Sequence, residues 1–496
     1  MPSINRNPEK PDEYYRGLNR KLLQAIPDSA MRILDVGCST GRLGAAMKEL
    51  VPGRQVYGLE REAAEAAQAS QVLDAVFNAD ITVDPIPVPP ESLDCVTCGD
   101  VLEHLYDPLP VLKSLRQLLR PDGQILVSLP NAQHYSVVDM LLRGEFQYVD
   151  MGLMDWTHVR FYTYAAFVKL MLDAGFVPRV IDVNVQPAPS QWHNSLQAWA
   201  RLSGIPMPRL TFQTDVVQYM FSGSLMSPLT APAGVDLEAP ITFVVCVNDD
   251  RVLQENLLAS ACLRSGTRHQ VILQRGFSSF GEALNAARPD CRHDWIVCVH
   301  QDVYLPENWD RRFLAQVAIA QQQFGPLGVA GVYGCDLQAE DSTGQGHLVD
   351  RLKVLRRGGP LPARVLCLDE VLLAIPRSLA VQGDPALGYH QYGADLCLQA
   401  KQLGLPSVAL EAPLFHNSQL AEVPQSFHES SHVLAMKWQS ELPIPTACGM
   451  IGPEHLNPHQ VPRFRLKRWF KDAKHFTSQL FRFGRKRRAR QESLWK

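Results

Sequence analysis

The segment Asp35-Val36-Gly37-Cys38-Ser39-Thr40-Gly41, followed 19 residues later by Glu60, has the residue types of a cofactor-binding turn. Small residues let a backbone pass close to a ligand, and a helix that follows presents free N–H groups to it. A carboxylate that closes the next strand, as Glu60 does in Val56-Tyr57-Gly58-Leu59-Glu60, can accept hydrogen bonds from ribose hydroxyls. Gly37 and Gly41, with Cys38 and Ser39 between them, lack the third glycine of the dinucleotide fingerprint. The turn therefore departs from a nicotinamide site.

A second set of polar groups sits at the ends of apolar runs. Val245-Cys246-Val247 leads into Asn248-Asp249-Asp250, and about fifty residues later Trp295-Ile296-Val297-Cys298-Val299 leads into His300-Gln301-Asp302. Such groups face a ligand crevice when they end strands of a parallel sheet. A carboxylate placed like Asp302 is a hard-oxygen ligand for Mg²⁺ or Mn²⁺ bridging a diphosphate. A nucleotide-sugar donor needs that neutralisation as its leaving diphosphate gains charge.

Both sets require strands that end together. Met31–Val36, Gln55–Leu59, Ser92–Cys98 and Gly123–Ser128 read as strands, and Gly41–Leu50, Glu62–Ser70 and Pro110–Leu119 as helices. This alternation predicts a parallel, doubly wound sheet. The patch Ser227-Pro228-Leu229-Thr230-Ala231-Pro232-Ala233-Gly234 reads as a linker, after which Ile241–Val247, Val271–Gln274 and Trp295–Val299 restart the pattern. The expected organisation is a domain over 1–226, a linker over 227–240, a second domain over 241–445 and a tail over 446–496.

Further motifs make the first half specific. Asn78-Ala79-Asp80-Ile81, Asp94-Cys95-Val96-Thr97-Cys98-Gly99-Asp100-Val101-Leu102-Glu103-His104-Leu105 and Leu153-Met154-Asp155-Trp156-Thr157-His158-Val159-Arg160-Phe161-Tyr162-Thr163 accompany the glycine turn. With them, residues 14–225 resemble class I S-adenosylmethionine-dependent methyltransferases. The third motif is similar to the LDxTHxRFFT element of enzymes from polysaccharide and natural-product clusters. The resemblance implies a Rossmann-like fold with S-adenosylmethionine as cofactor. Asp35, Gly37, Cys38 and Gly41 would surround its methionine end, Glu60 its ribose, Asp80 and Ile81 its adenine, and Asp100 the mouth of the fourth strand. Methyl transfer from a sulfonium relies on positioning, and a hydroxyl acceptor also needs a base. His104 and His158 are the candidates, because a neutral imidazole takes a proton near pH 7.

Residues 239–440 resemble glycosyltransferase family 2-like proteins, which implies a GT-A nucleotide-sugar-binding domain. The expected fold class is thus α/β in two domains, a Rossmann-like methyltransferase followed by a GT-A domain. On this resemblance Asp249 and Asp250 meet the nucleotide, His300 replaces the first acid of the metal motif, and Asp302 holds a divalent metal (Mn or Mg). His416, in Leu414-Phe415-His416-Asn417, is the late histidine that joins the metal. The helix Tyr392-Gly393-Ala394-Asp395 has Gly393 at the usual position of the base. Asp395 is the remaining carboxylate, with His390, Asp369 and Glu370 as stand-ins.

Composition fits this plan. The 496 residues are 46% hydrophobic and 20% charged, which excludes disorder over the whole chain and a disulfide-stapled miniprotein. No apolar run is long enough for a spanning helix, and the first residues have no signal-peptide core. The 11 cysteines lack CxxC pairs, as expected of reduced thiols in a cytoplasm. Of the net charge of −3, residues 463–496 contribute +11, so the rest carries −14. That tail interleaves Phe464, Trp469, Phe470, Phe476, Phe481, Phe483 and Trp495 with Lys and Arg, a pattern suited to an anionic bilayer. The expectation is a bifunctional glycan-modifying enzyme, cytoplasmic and peripheral at the inner membrane face. Its substrates would be a nucleotide-sugar donor and a saccharide or lipid-linked glycan acceptor. The competing expectation is a methyltransferase fused to a non-catalytic GT-A-like module. Nucleic acid is an unfavoured partner, because the body is acidic and an Asn-Pro-Pro-Tyr-type pocket for a flipped base is absent.

Overall fold

The computed structural model describes residues 18–203, 207–336, 344–350, 354–355, 359–418 and 424–457. The expected basic aromatic stretch 463–496 lies outside the described residues. The chain divides into two compact units, Met1–Ser227 and Pro228–Lys496.

In the first unit, the apolar runs of the sequence become a seven-stranded sheet. Its strands are β1 Arg32–Val36, β2 Gln55–Glu60, β3 Ala75–Asn78, β4 Leu93–Gly99, β5 Leu119–Pro130, β6 Phe176–Val185 and β7 Val216–Leu225, in the order β3-β2-β1-β4-β5-β7-β6. β1 to β5 are parallel, while β7 runs antiparallel to both β5 and β6. Ile33, Leu34, Cys95, Val96, Ile125, Leu126 and Val127 are fully buried, as strands covered on both faces must be. The chain leaves β1 for β2 on one side and reaches β4 on the other. The diverging connections open a crevice at the ends of β1 and β4. β3, β6 and β7 were not among the expected strands.

The second unit builds a mixed sheet from β8 Thr242–Cys246, β9 Gln270–Gln274, β10 Trp295–Val299, β11 Ala330–Gly331, β12 Ala363–Val365, β13 Leu372–Pro376 and β14 Ser407–Ala409. The order is β12-β14-β11-β13-β10-β8-β9, with β8, β9, β10, β11 and β14 parallel and β12 and β13 antiparallel to them. Here the chain diverges between β8 and β10, so their carboxyl ends frame a second crevice. A smaller sheet joins Val303–Tyr304, Leu414–His416, Leu348–Asp350 and Val354–Leu355, and it brings late residues back to the end of β10.

Two expected boundaries shift. Leu237 and Ala239, placed in the linker, pack on the core of the second unit, and Glu238 pairs with Arg268 and Arg311. The boundary at 445 cuts a hairpin of Ile444–Thr446 and Gly449–Ile451, whose Ile444 and Ile451 are buried with Leu434 and Trp438. Apolar side chains on both strands hold this hairpin in the unit. Among the described residues no helix is long and apolar enough to cross a membrane.

Candidate functional sites

The first crevice is built by a turn that only small residues can make. Gly37, Ser39 and Gly41 have φ of 66°, 48° and 81°, the left-handed region that glycine enters without steric cost. A Cβ on Gly37 would stand 2.7 Å from Val101 Cγ2. The Gly37 and Cys38 N–H groups donate to Leu59 O, at 2.8 and 3.2 Å, which folds the turn over the end of β2. Gly41 begins the helix Arg42–Leu50 and supplies no side-chain cap, so the helix N–H groups face the crevice.

Glu60 closes the cradle. Its Oε2 accepts from Ser39 N at 2.8 Å and its Oε1 from Glu62 N at 2.9 Å. Each oxygen keeps a further lone pair for a hydroxyl. Ser39 Oγ is buried with no hydrogen-bond partner among the described residues, an orphaned polar atom in a cradle sized for a ligand. The cradle fits S-adenosylmethionine on this ground.

Asp35 lies behind the turn, 3% exposed, and accepts a 2.6 Å hydrogen bond from Thr97 Oγ1. Burial, only partly offset by the Thr97 hydroxyl and reinforced by Glu60, pushes its carboxyl up to about 7. Cys38 packs its sulfur against Gly58, where a Cβ would come within 2.6 Å. Burial raises its thiol further, which suits packing and not reaction. Asp80 and Ile81 are half-exposed after β3. The Asp80 carboxylate accepts from Thr82 N at 2.8 Å and Thr82 Oγ1 at 2.6 Å, and these bonds lower its pKa. Asp100, at φ 56°, ends β4 and accepts from Gln218 Nε2 at 2.6 Å and Ser128 Oγ at 3.3 Å.

His104 and His158, 54 positions apart in sequence, meet edge to face with ring centroids 4.9 Å apart. The turn Asp155-Trp156-Thr157-His158 makes this meeting local. Asp155 Oδ1 accepts from Thr157 N at 2.8 Å and Thr157 Oγ1 at 2.7 Å. Val159 N and Arg160 N both donate to Glu103 O at 3.0 Å, and Arg160 Nε donates to Tyr106 O at 2.8 Å. Thr163 then caps the helix Tyr164–Asp173. Glu103, which the sequence motifs did not single out, joins the pair. It is 0% exposed, with Oε1 4.0 Å from His158 Nε2, and burial followed by Asp100 holds its carboxyl well above the usual range. The signal was its place directly before His104. From His158, Phe161, Phe146 and Tyr148 form a chain of rings with centroids 6.5, 6.0 and 5.4 Å apart. These three aromatics are 38–52% exposed.

The family described as a methyltransferase domain matches residues 11–179. The N-terminal unit is a class I S-adenosylmethionine-dependent methyltransferase domain. A protein of the ATP synthase subunits region, ORF 6, of Fuscovulum blasticum is 31% identical over 34% of this chain and 67% of its own length. The ubiquinone biosynthesis O-methyltransferase of Neisseria meningitidis serogroup A is 28% identical over 29% of this chain and 63% of its own length. The chain thus spans about two thirds of each of these relatives. A solved S-adenosylmethionine-dependent methyltransferase from Archaeoglobus fulgidus is 17% identical over 42% of this chain and 96% of its own, with a TM-score of 0.30.

In the second crevice the ends of β8 and β10 are tied by Gln301, whose Oε1 accepts from Asn248 N at 3.0 Å and Asp249 N at 3.2 Å. His300, Asp302 and His416 each offer a ligand atom within 4.8 Å of the others. His416 Nε2 is 3.3 Å from Asp302 Oδ1, and its Nδ1 is 3.0 Å from Asp350 Oδ2. A carboxylate on the far nitrogen is how proteins aim a metal-binding histidine, so the donor set fits a divalent cation. Burial disfavours the charged His416, yet the two carboxylates hold its pKa well above the usual value. His300 is pushed down to about 4 by burial and meets Tyr392 Oη at 2.9 Å. Asp350 was missed, because nothing in its sequence neighbourhood marks it.

Three further expected residues have local partners. Asp249 caps the short helix Asp250–Glu255, its Oδ1 accepting from Arg251 N at 2.9 Å and Val252 N at 3.1 Å. Asp250 is exposed and paired with Arg275 at 2.5 Å, a surface pair that water screens. Asp395 is 1% exposed and has three side-chain partners: Trp438 Nε1 at 2.8 Å, Lys437 Nζ at 2.8 Å and Gln399 Nε2 at 2.7 Å. The carboxylate at the start of that helix comes from Glu370, whose Oε1 accepts from Gly393 N at 3.3 Å. Burial, with Asp369 beside it, raises Glu370 to about 8.

Two outcomes test these placements. Because the folded pKa of Asp35 exceeds its ordinary 3.8, its ionisation costs stability as pH rises toward 7. Asp35→Asn should therefore stabilise the ligand-free first unit at pH 8, by on the order of 4 kcal/mol at most, in urea melts. It should also remove any gain in S-adenosylmethionine affinity between pH 6 and 8. Asp395→Ala should lower stability by about 2 kcal/mol in the same assay, since it leaves the buried Trp438 Nε1 without an acceptor while Lys437 keeps Asp384.

Proposed function

We propose that the chain methylates a sugar or glycan hydroxyl in its first unit and transfers a sugar from a nucleotide donor in its second. The observation that carries this reading is a pair of polar crevices, each at the point where a sheet's connections diverge, with different chemistry in each. The first holds a nucleoside cradle beside two histidines, and the second a divalent-cation donor set.

Bound S-adenosylmethionine supplies a methyl group activated by its sulfonium. The chain positions it: the turn over Gly37–Gly41 and Glu60 would fix its two ends, and Asp35 supplies the buried negative field that a cationic ligand favours. The acceptor hydroxyl would lose its proton at His104 and His158, with its apolar face on Phe161, Phe146 and Tyr148. Flat aromatic faces suit the C–H side of a sugar ring or the stem of a lipid carrier. In the second unit, Asp302 and His416 would hold Mn²⁺ or Mg²⁺ against a diphosphate, with His300 beside it. The alternative, a module that binds a nucleotide sugar without turnover, is favoured by one observation, the structural engagement of Asp395.

Reciprocal variants separate the two halves. Gly37→Arg should abolish S-adenosylmethionine binding in calorimetry and leave Mn²⁺-dependent hydrolysis of a panel of UDP- and GDP-sugars intact. Asp302→Ala should do the reverse. Absence of hydrolysis in the unsubstituted chain would leave the non-catalytic module as the reading of the second unit. Residues 463–496 would draw the enzyme to an anionic bilayer. A chain ending at Pro462 should no longer sediment with phosphatidylglycerol vesicles, and persistent sedimentation would place the membrane contact elsewhere.

A further inference from the structure

We propose that Glu103, His104 and His158 form a binding site for a first-row divalent cation of the Mn²⁺, Co²⁺ or Zn²⁺ type at the acceptor end of the methyltransferase crevice. Each residue offers one ligand atom, and these atoms lie within 4.8 Å of one another. The two histidines are wired alike. His104 Nδ1 meets Thr157 O at 3.2 Å, and His158 Nδ1 meets Leu153 O at 3.2 Å. A carbonyl only accepts, so each Nδ1 carries the proton and each Nε2 presents a lone pair. Backbone carbonyls on the far nitrogen are a recurrent way of orienting metal-binding histidines.

Glu103 supplies the independent observation. Its side chain is wholly buried, yet neither carboxylate oxygen has a hydrogen-bond partner among the described residues. A buried polar group left in this way costs free energy unless something else satisfies it. Its Oε1 points at His158 Nε2 from 4.0 Å, too far for a hydrogen bond and close enough to share an ion with it. Two imidazoles and one carboxylate are the donors of catalytic zinc sites and of facial-triad iron sites, both of which keep open positions. The site also lies beside the cofactor turn, because Val101, two residues before Glu103, packs on Gly37.

This inference rests on the methyltransferase reading, and within it His104 and His158 serve as ligands of the cation in place of the base that takes the acceptor proton. The acceptor hydroxyl oxygen would occupy an open position on the cation, which lowers its pKa, and its proton would pass to water. The oxygen's electron pair then forms the new C–O bond as the S–CH₃ bond breaks. That bonding pair stays on sulfur, giving the neutral thioether. The acceptor class is accordingly a hydroxyl compound able to ligate a cation.

The full chain carrying Asp302→Asn and His416→Gln removes the other cation site from the measurement. Titrated with MnCl₂ and read by the EPR signal of the free ion, with Zn²⁺ as competitor, it should show one site. Glu103→Gln and His158→Gln, added singly, should each weaken that site by about tenfold or more. Calorimetric S-adenosylmethionine binding should persist in both, which reports that the fold is kept. A chain that binds S-adenosylmethionine but neither cation overturns the inference, and so does cation binding that Glu103→Gln leaves unchanged. A chain that fails to bind S-adenosylmethionine overturns the methyltransferase reading instead.

Discussion

A carboxylate buried at the rim of a sheet has lost its water, and the neighbouring residues must replace it. This cost of desolvation recurs at Asp35, Glu103, Asp302 and Glu370, and it organises both units. The sheets make the crevices by topology alone, where successive connections diverge. What each crevice can hold follows from how its carboxylates are compensated.

The two units solve the problem differently. In the first, Asp35 has only the Thr97 hydroxyl, and Glu103 has no hydrogen bond to its carboxylate among the described residues, so burial favours the neutral form of both until a cationic ligand draws the proton off. A sulfonium or a metal ion is such a ligand. In the second, burial acts against Asp302, but His416 supplies a charge from within and holds the carboxyl down to about 2. His416 is itself braced by Asp350. That crevice carries its own counter-ion, which a bound metal would replace.

Legibility in the sequence followed the range of the signal. The glycine turn, Glu60 and strands β1, β2, β4 and β5 are local patterns of small residues and apolar runs, and they stand where the spacing placed them. β3 escaped because Ala75–Asn78 is only four residues, and β6 because polar Arg179, Asp182 and Asn184 interrupt it. The pairing of His104 with His158 was expected as two separate candidates for one role. Their meeting depends on Glu103 O gathering the N–H groups of Val159 and Arg160, a backbone contact that no side-chain pattern announces. Asp350 likewise reaches His416 only through a small sheet assembled from distant strands.

Asp395 shows the converse, a visible pattern whose surroundings no motif announces. An acid early in a helix reads as a reactive group, and Trp438 and Lys437 converge on it from the following helix and bury it. Gly393, two positions earlier, has a physical reason of its own. A Cβ there would stand 2.8 Å from Leu368 O and 3.0 Å from Glu370 Cγ, so the space for a side chain is already taken. The Glu370 carboxylate enters that space from the turn before β13, where His300 N pairs with Val371 O. The carboxyl group beside the helix is therefore relocated to the neighbouring strand end. It stands at the start of the helix, with a pKa of about 8 imposed by its burial.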